Sequence, residues 1–375
     1  QQMIFALDAY YLQAIGVALA IIFACSYKRK IDRFTLIVTG AWLIGICAIY
    51  FKYGLDQVIF YSNDQEIHQR IAKNYIESEG FNLGRVIQHR YIITYPTFLL
   101  SKIGLDEVLV LKTIQIFSLI GIYFKSKSIL LSRGLRPKYW HFAFIASPLM
   151  FFFSLLALRD LTLALFTISY VFASKFQTRT FFAVLIFLLK PHLAIALLFG
   201  TVALFLFKIF RTKFQMLAAL LFLGASYVVG SLSYSLGSLF RDGFFPGLPT
   251  DFLSQAKISQ LALNFSGLQF FSLVYDKNSV VAESVGFLLL ARILLFDTFL
   301  IPIVFIFVCV FFLRELRGTA FLILASFVFY LGLVSQSDWN STRQNIPFLA
   351  AMGIVAVVNI EATKGSRRRN LLLQP

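Results

Sequence analysis

The sequence predicts an all-α, polytopic integral membrane protein of about eleven transmembrane helices with outer amphipathic or re-entrant segments. Three observations carry the prediction. Of 375 residues, 59% are hydrophobic and 17% aromatic, including 44 Phe, and the mean hydropathy is +0.78, well above the balance of soluble domains. Apolar segments of roughly 17 to 25 residues, the length that crosses a bilayer core, recur from end to end. Lys and Arg gather in short hydrophilic turns between them, as the positive-inside rule requires. The net charge of +16 would point to nucleic acid in a soluble chain. Here it reports topology, and no nucleic-acid partner is expected. No stretch is left over to build a soluble core, so residues 1–375 are read as a single transmembrane domain.

Apolar runs bounded by charge clusters place the spans near 9–26, 34–50, 107–124, 139–157, 160–174, 181–190, 193–210, 215–232, 288–313, 319–335 and 346–360. The start "QQMIFALDAYYLQAIG" lacks a basic leader and runs straight into a helix, so the first span is read as the insertion signal. Alternate turns are basic: "KRKIDR" (28–33), "KSKSILLSRGLRPK" (125–138), "KFQTR" (175–179), "KIFRTK" (208–213), "RELR" (314–317) and "KGSRRR" (364–369) in the tail 361–375. These turns are expected on the cytoplasmic side. The N-terminus, the outer loops 51–106 and 233–287, and the short turns near 159, 191 and 340 then share the opposite face. The span 181–190 is too short to cross about 30 Å and is ended by Pro191, so 181–210 is expected to be a broken helix pair lining a polar cavity. No internal repeat is detectable. Cys25, Cys47 and Cys309 lie in apolar segments without CxxC spacing, which indicates neither a metal site nor a disulfide framework.

Two outer segments have their own patterns. "YSNDQEIHQRIAKNYIESEGFN" reads as an amphipathic helix with Ile67, Ile71 and Tyr75 on its apolar face. "RVIQHRYIITYPTFLLSKIG" (85–104) is half basic and half apolar, as an interfacial or re-entrant element would be. Residues 241–285 mix Gly, Pro, Asn, Ser and aromatics and read as a structured outer loop.

Charged residues inside apolar runs are the candidate functional groups, because burying charge in lipid needs a compensating reason. Arg159 and Asp160 are expected in a tight turn between the fourth and fifth spans. Either Asp160 starts a helix while Arg159 snorkels to headgroups, or Arg159 binds a phosphate and Asp160 orients it. Lys190, Pro191 and His192 recur at the same depth in "FLLKPHLAIALL", which predicts a shared anion pocket with Arg159 and with Arg343 of "SDWNSTRQNIP". Asp64 and Glu66 are candidate general bases, although both fit an N-terminal capping role equally well. His68 and Arg70 follow them by one turn, and Arg85, His89 and Arg90 add further cations. Lys112, Arg292 and Asp297 are read as buried structural charges. P-loop, GxSxG, HExxH and clustered metal-ligand signatures are missing from the sequence, which leaves ATPase, serine hydrolase and zinc protease chemistry without support.

Through "YSNDQEIHQRIAKNY" (61–75), "LALRDLTLALF" (156–166), "LLKPHLAIAL" (188–197) and "STRQNIP" (341–347), the chain resembles polytopic GT-C-type glycosyltransferases. Within them it is most similar to the bacterial Wzy and EpsG-like O-antigen and polysaccharide polymerases. Its acidic loop lies after the second helix, where many GT-C enzymes carry it after the first.

The resemblance implies metal-independent, cofactor-free transfer from polyprenyl-pyrophosphate-linked glycans, at the periplasmic face of a bacterial inner membrane. It also implies membrane lipids and a chain-length regulator protein as partners. In that reading Asp64, Glu66 or His192 serves as base, while Arg159, Asp160, Lys190, Arg343, Arg70 and Arg90 bind pyrophosphate and sugar. The rival readings are a lipid-linked oligosaccharide flippase or transporter, a polyprenyl-phosphate-sugar-dependent monosaccharide transferase, and an O-antigen ligase. The sequons at Asn264 and Asn340 would suit a lumenal transferase.

Overall fold

A computed structural model describes residues 2–26, 32–53, 67–72, 90–142, 148–209, 221–230, 317–334 and 346–372. Every regular element among them is helical, in keeping with an α-helical membrane protein. In chain order these are α1 (Gln2–Ser26), α2 (Arg33–Tyr53), α3 (67–72), α4 (Tyr91–Ser101), α5 (Glu107–Ser132), a 3-10 turn (Tyr139–Phe142), α6 (Pro148–Ser154), α7 (Asp160–Val171), α8 (Phe176–Leu189), α9 (Pro191–Ile209), α10 (Leu221–Gly230), α11 (Arg317–Val334) and α12 (Ile346–Leu372). Four of them, α1, α2, α5 and α9, are long and apolar enough to cross a membrane, and α7, α8, α10, α11 and α12 carry shorter apolar stretches. The expected spans 288–313 and the outer loop 233–287 lie outside the described residues.

The packing pattern is that of helices in lipid. On α1, Leu12, Ile15, Leu19 and Phe23 are exposed along one stripe, whereas Tyr10, Ala14, Ala18 and Ile21 are buried on another. On α9, Ile195, Leu198, Val202, Phe205 and Ile209 are exposed while Ala196, Leu197, Gly200, Ala203 and Phe207 are buried. Apolar stripes several turns long cannot face water in quantity, and the small residues sit where helices approach closely.

Two compact units emerge: residues 1–124 with 145–165, and residues 125–144 with 166–375. In the first, α1 packs on α2, and α2 meets α6, where Leu155 fills the space above Gly45. Asp32 ties the start of α2 to α5, capping Phe34 N–H at 2.9 Å and accepting from the Tyr123 hydroxyl at 3.0 Å. In the second unit α9 and α11 form the most extensive helix pair, with Gly200 of α9 directly against Ser326 and the Leu322 carbonyl of α11. Phe199 stacks on Phe329 and Phe207 on Phe321 along this seam, at 4.3 Å between centroids in both cases. α12 joins α11, is buried over most of 346–357, and continues as a helix through the basic run to Leu372.

Several expectations need correction. No continuous helix fills 139–157: the chain makes a 3-10 turn, then the seven-residue α6, then a non-helical segment over residues 155–159. Pro148 at the first position of α6 explains the entry, since its missing N–H is one the helix start leaves unused anyway. α8 begins at Phe176, so Arg179 belongs to the helix and donates back to the Ala173 carbonyl at 3.0 Å. On α3 the face turned inward is not Ile67 and Ile71, which are half-buried, but His68 and Ala72, both fully buried. The polar imidazole wins that position because it finds hydrogen-bond partners there.

Candidate functional site: a buried helix break

The break between α6 and α7 exposes backbone groups that an uninterrupted helix would satisfy, and leaving them bare in an apolar interior costs several kcal/mol each on the order of membrane transfer scales. Leu155, Leu156, Ala157 and Leu158 are all buried, so water does not relieve them. Three side chains from three other elements do. Trp42 of α2 donates its indole N–H to the Ser154 carbonyl at 3.0 Å. His68 of α3 bonds through Nδ1 to the Ala157 carbonyl at 2.9 Å. Gln115 of α5 accepts from Leu161 N–H through Oε1 and donates through Nε2 to Thr162 Oγ1, both at 3.2 Å. Ser118 spends its hydroxyl proton on the Ile114 carbonyl at 2.8 Å, so the 2.9 Å contact between Ser118 and Thr162 has Thr162 as donor. The non-helical segment is therefore held open by design of its neighbours, not by lack of structure.

Arg159 closes this segment, half-buried, and its carbonyl accepts the first bond of α7 from Leu163 N–H at 3.0 Å. Asp160 starts α7 and is 1% exposed. The two are thus not a tight hairpin turn at a helix end but the last residue of a five-residue break and the first of a helix. A carboxylate in the first turn complements the positive end of the helix dipole.

Lys112 is 0% exposed and lies on the face of α5 that meets the break. One and two turns before Gln115, Leu111 and Val108 of the same face cluster with Ala157. Asp106, whose carboxylate caps Leu109 N–H at 2.8 Å, is close enough to act on the Lys112 charge. The Asp106 backbone is itself pinned by Gln13 of α1, which accepts from Asp106 N–H at 3.0 Å and donates to the Gly104 carbonyl at 2.9 Å. Gly104 has φ +91, a conformation that glycine adopts without steric cost.

Arg90 is the only non-glycine residue among the described residues with positive φ, at φ 55 and ψ 46. The left-handed region costs a side-chain-bearing residue about 1–2 kcal/mol. It precedes α4, an eleven-residue helix containing Pro96, about 16 Å long and too short to span a bilayer. From this position its guanidinium bonds to His68 Nε2. A carbonyl can only accept and a guanidinium can only donate, so His68 carries its proton on Nδ1 and offers the Nε2 lone pair to Arg90. The imidazole is neutral and its tautomer is fixed at both ends.

In the second unit Lys190 is 3% exposed and occupies the joint between α8 and α9, where the chain turns extended at φ −156. Its N–H still bonds to the Ile186 carbonyl at 2.7 Å, and its carbonyl accepts from Leu193 N–H at 3.0 Å, so one residue caps both helices. The break expected at Pro191 is present. Lys190 Nζ lies 5.4 Å from the Tyr330 ring centroid, within cation–π range. The half-buried His192 ring lies nearly parallel to the same ring at 6.0 Å, and Tyr330 in turn meets Phe348 at 5.4 Å.

Of the site residues expected from sequence, Arg90, Arg159 and Asp160 fall in the first unit and Lys190 and His192 in the second. Arg70 also belongs to the first unit and is exposed, on the side of α3 away from His68 and Ala72. Asp64, Glu66 and Arg343, with Arg292 and Asp297, lie outside the described residues. His68 is named from sequence as the imidazole one turn after Asp64, whereas Trp42, Gln115 and Thr162 carry no role there. A detectable signal existed for Gln115 alone: with Lys112 it repeats polarity at helical spacing within an apolar span. Among the described residues no group of His, Cys, Asp and Glu is placed to hold a metal. No family model, curated protein or solved structure matches the chain.

Proposed function

We propose that the chain is a membrane glycosyltransferase that polymerises polyprenyl-pyrophosphate-linked oligosaccharide repeat units, an O-antigen or exopolysaccharide polymerase at the periplasmic face of a bacterial cytoplasmic membrane. The observation that carries the reading is the polar break at 155–159: a buried non-helical segment, ended by a half-buried arginine and braced by Arg90 and His68. Irregular backbone inside an apolar domain is tolerated where it is buried in protein or lines a cavity, and cations beside it suit an anionic headgroup. A lipid pyrophosphate is an activated leaving group that reaches a membrane site by diffusing within the bilayer.

In the first unit, Arg159 and Arg90 neutralise the departing pyrophosphate. An acceptor sugar hydroxyl attacks the anomeric carbon of the donor and the bond from that carbon to the phosphate oxygen breaks. The polyprenyl pyrophosphate leaves with the electron pair, and the hydroxyl proton passes to a base. Asp64 and Glu66, just before α3, are the bases the sequence offers in this unit, and His192 is the one it offers in the second. Lys190 supplies the second unit with its own buried cation at the α8–α9 joint.

The test is to incubate purified protein with lipid-pyrophosphate-linked repeat units from its host and run the products on a gel beside an Arg159→Ala control. A regularly spaced ladder, lost in the control, is the expected result. A protein that binds the lipid and makes no longer product would be a flippase or a transferase with another donor.

A further inference from the structure

The Arg90–His68–Ala157 chain holds an imidazole in the arrangement of a general base whose working nitrogen is covered. Nδ1–H is anchored on the Ala157 carbonyl at 2.9 Å, which fixes ring and tautomer, and Nε2, the nitrogen able to take a proton, is occupied by the Arg90 guanidinium. His68 is 0% exposed, so solvent does not compete for that lone pair. Arg90 holds the contact from a left-handed backbone position that strongly favours glycine. A guanidinium pairs with a phosphate as opposite charges and bidentately, which a single neutral imidazole nitrogen cannot match. The arginine that covers His68 is therefore also a cation that an arriving phosphate would draw away.

We infer that Arg90 and His68 form an anion-operated latch: a pyrophosphate group binding to Arg90 takes the guanidinium off His68 Nε2 and releases His68 as the base that accepts the acceptor hydroxyl proton. The base role rests on the glycosyl-transfer reading; the latch itself does not. The proton moves from the acceptor hydroxyl to Nε2 as the hydroxyl oxygen bonds to the anomeric carbon. The pyrophosphate leaves with the electrons of the broken bond, and the imidazolium keeps its Nδ1–H on Ala157. Without donor in place the base is covered, which withholds it from unproductive proton exchange.

The chain has four histidines, His68, His89, His141 and His192, few enough for ¹⁵N imidazole spectra to be assigned by single His→Gln variants in nanodiscs. The probe is inorganic pyrophosphate added to full-length protein in phosphatidylcholine discs. The His68 Nε2 resonance is expected to move downfield, saturably, toward that of an imine nitrogen relieved of a hydrogen bond, while Nδ1 stays in place. Arg90→Gly removes the guanidinium and suits the left-handed backbone, so it should show the shifted Nε2 signal without pyrophosphate and no further response. Arg90→Lys, folded by circular dichroism, serves as a second variant and should reduce the pyrophosphate response.

An unmoved Nε2 signal on adding pyrophosphate, or an Arg90→Gly spectrum identical to wild type, would overturn the latch whether or not the protein polymerises. A shift produced by phosphatidylglycerol discs alone, and not by pyrophosphate, would overturn it by assigning Arg90 to lipid headgroups. Conversely, a saturable shift in a protein that forms no ladder would keep the latch and remove the polymerase reading.

Discussion

Replacing Gln115 with Leu tests whether side chains from other helices hold the break open. Leucine is close in volume, so the change removes two hydrogen bonds without leaving a cavity. Leu161 N–H then loses its 3.2 Å partner in a buried setting, and an unsatisfied buried donor costs about 1–3 kcal/mol. The bond to Thr162 is lost too, but Thr162 keeps Ser118 at 2.9 Å, so that loss adds only about 0.6 kcal/mol, the average for side-chain bonds between membrane helices. Together the change destabilises by about 2 kcal/mol, roughly a thirtyfold shift in the folded-to-unfolded ratio. Reversible unfolding in mixed detergent and SDS micelles reads the midpoint, and hydrogen exchange at the Leu161 amide reads the local consequence. A Gln115→Leu protein with a wild-type midpoint and unchanged Leu161 protection would refute the bracing argument.

Other predictions follow from the second unit and from the latch. Gly200→Ala would put a methyl 2.7 Å from the Leu322 carbonyl oxygen and 3.0 Å from Ser326 N, forcing α9 from α11 at about 1–3 kcal/mol; Gly16→Ala, which meets nothing within 4 Å, should unfold at the wild-type temperature. Tyr330→Leu removes the ring beneath Lys190 Nζ, where a desolvated cation–π contact contributes about 2 kcal/mol. Its denaturation midpoint should fall, while Tyr330→Phe keeps most of the contact and should stay near wild type. Arg90→Gly should shift the His68 Nε2 resonance in the absence of any ligand.

Much of the helical frame was legible because lipid imposes a simple rule: the chain must be apolar for a full crossing, and basic residues collect between crossings. The α8–α9 joint was legible for a local reason, since Pro191 cannot continue a helix. The break at 155–159 was not, because "SLLALRD" contains neither Gly nor Pro and its residues suit a helix. It is set by tertiary partners, Trp42, His68 and Gln115, that lie between 46 and 112 residues away in sequence, and periodicity reports no such pairing. Arg159 and Asp160 stood out as charges in an apolar run, so these candidate residues were readable even though the backbone geometry around them was not. His68 was legible as an imidazole one turn after Asp64, but its burial was not, because the stripe of Ile67 and Ile71 reads as the buried face. The structure instead buries the imidazole, whose hydrogen bonds outweigh the loss of one half-buried isoleucine contact.

The most direct test of the account is photo-cross-linking with a diazirine-bearing polyprenyl pyrophosphate, followed by mapping of the modified peptides. Adducts concentrated on residues 155–162 and the start of α4, displaced by excess inorganic pyrophosphate and weakened by Arg159→Gln, are the predicted result. Adducts confined to other helices, or labelling of the break that Arg159→Gln leaves undiminished, would contradict it.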